Sequence, residues 1–108
     1  MKTEITEITD ANVETLDGFN GRSIILDFYA EWCGPCKVLG GILHEVQEEM
    51  GDQVTVVKAN IENNDKLLKK YHVETVPTVV LLKNGEEVKR QVGLKTKKDL
   101  LDDLSEVM

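Results

Sequence analysis

The chain has 108 residues, of which 41% are hydrophobic and 31% charged, and its formal net charge is -7. This length suits one domain with its own core, and the excess of acids argues against binding to the phosphates of nucleic acid. No apolar run reaches the roughly 18 residues that a membrane-spanning helix needs. The first residues carry no apolar signal region, so we expect the protein to work in the cytoplasm. We also expect a single domain over residues 1–108 and a monomer.

The N-terminal part of the chain predicts an edge strand, a short helix and a central strand. Residues 4–8 alternate in polarity, as an edge strand does. Thr9 begins a run of capping residues for a helix that ends near Leu16. Ser23–Tyr29 is apolar on both of its faces apart from Asp27, which predicts a strand covered by helices on both sides.

A long helix is predicted from about residue 34 to residue 50. Its apolar residues recur at the spacing of one helix face: Val38, Leu39, Ile42, Leu43, Val46 and Met50. Pro35 suits the first turn, where its missing N–H has no partner to lose, and Gly51 suits the end. Gly40 and Gly41 each cost roughly 1 kcal/mol relative to alanine, so we expect them to serve a bend or a close backbone approach.

The second half of the chain predicts further strands and helices. In chain order these are a strand over Val54–Ala59, a helix over residues 66–71 capped by Asn63 or Asn64, strands over Thr78–Lys83 and Glu86–Val92, and a last helix capped by Thr96. Asn84-Gly85 is a strong hairpin signal between the last two strands. The inward face of the last helix has Leu100, Leu101, Leu104 and Val107. The order of elements predicts an α/β three-layer sandwich, with a mixed five-stranded sheet flanked by four helices.

Both cysteines stand where the central strand ends and the long helix begins, in Trp32-Cys33-Gly34-Pro35-Cys36. This spacing suits a redox pair, half of a zinc site or two inert thiols. Zinc needs about four ligands, and His44 lies about 12 Å along the same helix from Cys36. Strand-to-helix turns are exposed ends rather than core, which argues against inert buried thiols. We therefore expect a redox-active disulfide and no metal.

The start of the helix gives the two thiols different chemistry. Unpaired N–H groups and a partial positive charge favour a thiolate at this position. We expect Cys33 to be the exposed thiolate that attacks a substrate disulfide. Cys36 lies one turn further along and can attack the resulting mixed disulfide, so we expect it to be the resolving thiol.

Asp27 places a carboxyl group inside an apolar strand, where burial disfavours the charged form and raises the pKa. One interpretation is an aspartate satisfied by hydrogen bonds and paired with Lys58 on the neighbouring strand. The other is a proton acceptor that deprotonates Cys36, since no histidine is near in sequence. We expect the second role.

Two further residues are candidates for partner binding. Pro77 opens the fourth strand, and a proline in that position stands at an edge, at a bulge or in a cis turn. A cis bond would expose the backbone of Val76 to an extended peptide, whereas the alternative is a proline that merely begins a strand. Trp32, the chain's one tryptophan, is expected on the docking surface beside Cys33 rather than in the core.

On these residues the sequence resembles the thioredoxin family from about residue 5 to the end. Trp32-Cys33-Gly34-Pro35-Cys36 is identical to the active-site motif of that family. Other positions in register with it are Asp27, Lys58, Val76-Pro77-Thr78, Lys83-Asn84-Gly85-Glu86 and Val92-Gly93. The Gly-Pro pair between the cysteines is similar to the reducing members, because isomerases and strong oxidants usually carry a histidine before the second cysteine.

The resemblance implies a thioredoxin-like fold and a redox carrier that reduces disulfide-containing proteins. A separate thioredoxin reductase would recharge it, with NADPH or ferredoxin as the electron source, and no cofactor would bind this chain. The implied catalytic residues are Cys33, Cys36, Asp27, Lys58 and Pro77. The implied substrate-binding patch, apolar and flat, contains Trp32, Gly34, Pro35, Ile61, Thr75, Val76 and Gly93, with Pro77 among them.

Three positions depart from the family. Gly41 stands where a helix-kinking proline is frequent, and we expect a cost in stability. Tyr29 stands where a second tryptophan is frequent, and we expect this change to have a mild effect on function. Thr75 stands where a glycine is common, and we expect it to narrow the partner surface.

Two alternative functions remain. One is a protein-disulfide oxidant or isomerase, which Pro35 disfavours. The other is a binding module with an unused dithiol, which the presence of both cysteines disfavours.

Overall fold

The computed structural model describes residues 5–14, 16 and 23–107. The strands are β1 (Thr6–Glu7), β2 (Ser23–Tyr29), β3 (Val54–Asn60), β4 (Thr78–Lys83) and β5 (Glu86–Val92). The helices are α1 (Gly34–Met50), α2 (Asp65–Lys70) and α3 (Lys97–Val107), with a short 3₁₀ turn over Gly51–Gln53. The five strands form one sheet in the order β1-β3-β2-β4-β5, so the predicted sheet is confirmed.

The sheet is mixed, with parallel pairs on one side of β2 and antiparallel pairs on the other. β1 and β2 run parallel to β3, whereas β4 is antiparallel to β2 and β5 is antiparallel to β4. β2 is therefore the central strand, as its apolar sequence predicts. Side chains alternate along a strand, so Leu26 and Phe28 join the core on the α2 side. Ile25 joins the core that α1 and α3 cover.

α1 has the predicted bounds, but one residue of its predicted buried face is misplaced. Leu39, Leu43 and Val46 are buried, whereas Val38 is 55% exposed. At 3.6 residues per turn, Val38 lies about 100° around the helix from Leu39 and falls outside the core stripe. A side chain added at Gly40 or Gly41 would meet no atom within 4 Å, so a close backbone approach, one of the two roles expected for these glycines, is wrong.

The structure has three α-helices among its described residues, where the sequence predicts four. The segment after β1 forms a turn over residues 10–12 and has 3₁₀ geometry at Val13, Glu14 and Leu16, and the Asn12 Oδ1 atom accepts a hydrogen bond from the Thr9 N–H at 2.6 Å. Short polar side chains offer the backbone such partners in place of a helical ladder. Residue 15 of the predicted helix lies outside the described residues.

The N-terminus of α2 is capped from a distance. Asn64 occupies the predicted cap position, but its side chain makes no capping hydrogen bond. Its amide donates instead to the Asn60 carbonyl at 2.7 Å. The Asp10 carboxylate accepts from the N–H groups of Lys66 and Leu67 at 3.2 and 2.9 Å. The predicted cap position is right, and the capping side chain belongs to another segment.

The last three elements follow the sequence closely. Asn84 and Gly85 have φ angles of 53° and 83°, the left-handed conformation that a tight hairpin turn requires. Thr96 caps α3 as predicted, since its Oγ1 atom accepts from the Asp99 N–H at 3.1 Å. The four predicted inward residues of α3 are buried or pack against the core: Leu100, Leu101, Leu104 and Val107.

Candidate functional site

The topology of the sheet gathers the candidate residues at one edge. β2 and β3 end together there, with Tyr29 opposite Asn60. Because β4 is antiparallel to β2, its first residue, Thr78, also lies at this edge. β5 returns to the same edge, where Val92 is opposite Thr78. The cysteine loop, the residue after β3, the proline before β4 and the glycine after β5 are thus neighbours in space.

Cys33 and Cys36 form a disulfide at the start of α1, with their Cα atoms 5.3 Å apart. Cys33 is the N-cap residue, and its Sγ atom accepts a hydrogen bond from the Cys36 backbone N–H at 3.2 Å. Cys33 is 5% exposed and Cys36 is 4% exposed. In this disulfide form the expected exposure of Cys33 is absent, because Ala30 is buried in one cluster with the two cysteines and Ile61 and Val76 pack against that cluster.

The turn before β4 lies against the disulfide. The Val76–Pro77 peptide bond is cis, which is the first of the two interpretations of this proline. The Pro77 carbonyl accepts from the Gly93 N–H at 2.9 Å, and the Thr75 carbonyl accepts from the Thr78 hydroxyl at 2.7 Å. Gly93 has a φ of 90°, which a residue with a side chain rarely adopts. Two backbone segments are thereby joined beside the cysteines.

The residues expected in a flat apolar patch differ in exposure. Trp32 is 69% exposed and therefore lies on the surface, as predicted. Gly34, Pro35 and Thr75 are also exposed, while Ile61, Val76 and Gly93 are half-buried. Pro77 is buried and offers little surface to a partner. The predicted residues lie near the disulfide, but they range from exposed to buried, so the patch is not uniformly accessible.

Asp27 is 4% exposed, and its Oδ1 atom has no hydrogen-bond partner among the described residues. Burial raises its pKa from 3.8 to about 7, with Lys58 opposing this rise and Glu7 adding to it. The alternation of β2 places Asp27 on the same face as Ile25, which α1 covers. An incompletely satisfied carboxyl group with this pKa can take up and release a proton near neutral pH.

Lys58 stands directly opposite Asp27 in the β2–β3 register. Among the described residues, the ion pairs do not include Lys58 or Asp27. The Lys58 ammonium lies instead over the Tyr29 ring, 5.7 Å from its centroid. Asp27 and Lys58 are therefore neighbours as predicted, but the Lys58 ammonium contacts the Tyr29 ring and forms no ion pair with Asp27.

The sequence interpretation missed the part that Glu7 and Tyr29 play in this site. The Tyr29 hydroxyl donates to the Glu7 Oε1 atom at 2.8 Å, and the Asn60 N–H donates to Oε2 at 3.2 Å. Burial, followed by the hydrogen bond to Glu7, raises the pKa of Tyr29. A signal was present, since Glu7 is an acid in the predicted edge strand and Tyr29 replaces an expected tryptophan.

Metal-ligand side chains do not gather in the described part of the chain. No group of three or more His, Cys, Asp or Glu residues there could hold an ion. His44 and His72 are both exposed. Within the same residues, none of the helices is long and apolar enough to cross a bilayer.

Comparison with known proteins identifies the family. The Thioredoxin family model matches residues 4–106. A thioredoxin from Rickettsia typhi is 44% identical over 102 residues, which cover 94% of each chain. A thioredoxin from Mycobacterium bovis is 36% identical over 107 residues, covering 99% of this chain and 92% of that protein. A bifunctional thioredoxin reductase/thioredoxin from Mycobacterium leprae is 38% identical over 102 residues, covering 94% of this chain and 22% of that protein.

The comparisons and the site agree in chemistry. The similarity spans nearly the whole chain, including the cysteine pair that is closed as a disulfide at a helix start. A pair of this kind exchanges electrons by cycling between the dithiol and the disulfide. The chain belongs to the thioredoxin family, and its disulfide is the redox-active group of a protein-disulfide reductant.

Proposed function

We propose that Cys33 is the nucleophile of this reductant and that Cys36 resolves the intermediate. In the reduced protein the Cys33 thiolate attacks one sulfur of a substrate disulfide, forming a mixed disulfide and releasing the other substrate sulfur as a thiolate. The N-cap position of Cys33 supports this order, because the Cys36 N–H already points at its sulfur. A donor in that position stabilises negative charge on sulfur.

The second step regenerates the observed disulfide. Asp27 accepts the Cys36 thiol proton, and the Cys36 thiolate attacks Cys33 Sγ, which releases the second substrate thiolate. Two electrons have then passed from the protein dithiol to the substrate. A pKa of about 7 supports this role for Asp27. Lys58, on the neighbouring strand, assists by stabilising the ionised carboxylate between cycles.

The partner surface is the edge of the sheet around the disulfide. A substrate segment lies across Trp32, Gly34 and Pro35, and it contacts Val76 and Gly93 beside the sulfurs. Ile61, Thr75 and the Pro77 turn complete this surface. The exposure of Trp32 and the contacts of Val76 and Ile61 with the cysteine cluster support this arrangement.

The protein works as a carrier between a reductase and its substrates. A thioredoxin reductase reduces the Cys33–Cys36 disulfide after each cycle, and the fused reductase/thioredoxin of M. leprae supports such a partner. We place the carrier in the cytoplasm as a monomer with one thioredoxin domain over residues 1–108, without nucleic-acid partners. Electrons enter from NADPH or ferredoxin through the reductase, and no cofactor binds to this chain.

The observation that carries the proposal is the disulfide at the α1 N-terminus with the Cys36 N–H on Cys33 Sγ. The test is the reduction of insulin with dithiothreitol as the electron source, for the wild type, Cys33→Ser and Cys36→Ser. We expect turnover by the wild type, none by Cys33→Ser, and a trapped mixed disulfide with Cys36→Ser. No turnover above dithiothreitol alone would favour a binding module, and trapping by Cys33→Ser would reverse the order of attack.

A further inference from the structure

A row of charged residues crosses one face of the sheet. Glu7 on β1 is opposite Lys58 on β3, and Lys58 is opposite Asp27 on β2. Residues opposed in a sheet point to the same face, and neighbouring strands lie about 4.8 Å apart. The Lys58 cation therefore stands between two carboxyl groups whose strands are separated by about 10 Å. Asp27 has the buried position in this row, and Glu7 has the half-buried one.

Glu7 is held in place by both of its carboxylate oxygens. Oε1 accepts from the Tyr29 hydroxyl at 2.8 Å, and Oε2 accepts from the Asn60 backbone N–H at 3.2 Å. Tyr29 and Asn60 are opposed at the ends of β2 and β3, so one carboxylate ties both strand ends to β1. The tyrosine hydroxyl and the backbone N–H together fix the position of the Glu7 carboxylate beside β3.

The same tyrosine also contacts the cation. The Lys58 ammonium lies 5.7 Å from the centroid of the Tyr29 ring, within the range of a cation–π interaction. Tyr29 thus touches Glu7 through its hydroxyl and Lys58 through its ring.

We propose that Glu7 is a positioning residue that acts through Lys58 on Asp27, the proton acceptor. The Tyr29 hydroxyl holds the Glu7 carboxylate in place, so that Glu7 and Asp27 share the Lys58 ammonium. Glu7 touches neither substrate nor sulfur and acts through Lys58. This inference rests on the proposed role of Asp27. Its consequence is that Asp27 receives less of the stabilisation that one lysine could supply, and so retains its proton to higher pH.

The other charged groups around Asp27 leave this role to Glu7 and Lys58. The buried residues of α1 are Cys36, Leu39, Leu43 and Val46, which carry no charge in the disulfide form. β4 contributes Val79 opposite Asp27. Gln91 on β5 is opposite Val79, and its amide donates to the carboxylate of Asp103 on α3, which also pairs with Lys89.

The direct test is a titration of the Asp27 carboxyl group in the oxidised protein by ¹³C NMR, for the wild type and Glu7→Gln. Neutral glutamine removes the repulsion between the two carboxylates, and the Lys58 cation then stabilises ionised Asp27 alone. We therefore expect the titration midpoint of Asp27 to fall by at least about 0.3 pH unit. Glu7→Thr, which suits an edge strand, is a second neutral variant with the same expected fall. Glu62→Gln, an exposed carboxylate after β3, is the control with no expected shift.

An unchanged midpoint in both Glu7 variants, or an equal fall in Glu62→Gln, would overturn the proposal. The part played by Tyr29 is tested by repeating Glu7→Gln in the Tyr29→Phe background, where we expect a smaller shift because the carboxylate is no longer held. An equal shift in both backgrounds would remove Tyr29 from the inference.

The pH profile of mixed-disulfide resolution separates this proposal from the role of Asp27. If Asp27 is the proton acceptor, the profile moves to lower pH together with the NMR midpoint. A shifted NMR midpoint with an unmoved profile supports the effect of Glu7 on Asp27 but contradicts Asp27 as the acceptor.

Discussion

The backbone N–H of Cys36 donates a hydrogen bond to the Sγ atom of Cys33 at 3.2 Å. Cys33 is thus the cap of α1 as well as one end of the disulfide. A sulfur that already accepts a hydrogen bond from the helix end is the one on which negative charge is best stabilised after reduction. The capping geometry therefore distinguishes two sulfurs whose exposures are nearly equal.

We expect Cys33 in the reduced protein to react with iodoacetamide about tenfold faster than Cys36, because its thiolate is stabilised by the helix end. Alkylation at neutral pH, stopped at short times and mapped by mass spectrometry, measures both rates. In guanidinium the helix is lost, and the two rates should become similar. Equal rates in the folded protein would contradict the assignment of the nucleophile.

Asp27→Asn should slow the resolution of the mixed disulfide by about 10²-fold, since an amide cannot accept the Cys36 proton. Formation of the mixed disulfide should change little, because Cys33 needs no proton acceptor once it is a thiolate. Stopped-flow measurement of both steps with a disulfide peptide gives the two rates. Equal slowing of the two steps would rule out the proton-acceptor role.

Asp27 should also make stability depend on pH. Its pKa is about 7 when folded and 3.8 as an unperturbed group, so between these values the folded state holds a proton that the unfolded state has lost. The free energy of unfolding therefore falls as pH rises through this window. The free energy of unfolding of oxidised Asp27→Asn, relative to that of the wild type, should therefore be higher at pH 8 than at pH 4. The expected change in this difference is on the order of 2–4 kcal/mol.

Urea denaturation of the oxidised proteins across pH 4 to 8 measures this dependence. The relevant quantity is the change in the difference between the two proteins, since the amide itself also alters packing. A difference that stays constant over the whole range would show that burial does not raise the pKa of Asp27.

Gly41→Ala should raise the free energy of unfolding by roughly 1 kcal/mol, because alanine is the better helix former and its Cβ meets nothing within 4 Å. Gly40→Ala should behave alike for the same reason. Thermal and urea unfolding measure the gain. Gly51→Ala is the matched control: its φ of 55° strains a residue with a side chain, so that variant should lose stability. A loss of stability in Gly41→Ala would indicate a role for the glycine that its open surroundings do not reveal.

Trp32→Ala should lower kcat/KM for insulin reduction by about tenfold, because Trp32 is exposed on the proposed partner surface and tryptophan is enriched among the residues that dominate interface binding energy. The melting temperature should change little, since the side chain is 69% exposed. Val88→Ala removes another exposed apolar residue, on β5 near the hairpin, and should leave kcat/KM unchanged. Equal losses in both variants would exclude a specific docking role for Trp32.

Several elements could be predicted because their causes lie within a few neighbouring residues. The apolar run Ser23–Tyr29 has the bounds of β2, and the strands on either side of Asn84-Gly85 also match. The turn follows from two residues that accept positive φ. The apolar run of β2 ends before the cysteines, and apolar residues at helical spacing begin after Pro35. This change in pattern was enough to place the cysteine pair at a helix N-terminus.

Other features depended on contacts between distant segments. Asp10 caps α2 from more than 50 positions away, and the packing of Ile61 and Val76 buries Cys33. The row of Glu7, Lys58 and Asp27 depends on the register of three strands. A shift of one residue in β1 would turn Glu7 to the opposite face, and a two-residue strand carries too little pattern to specify that register. Local sequence therefore placed the dithiol, whereas long-range strand pairing placed Glu7 and Lys58 in one row with Asp27.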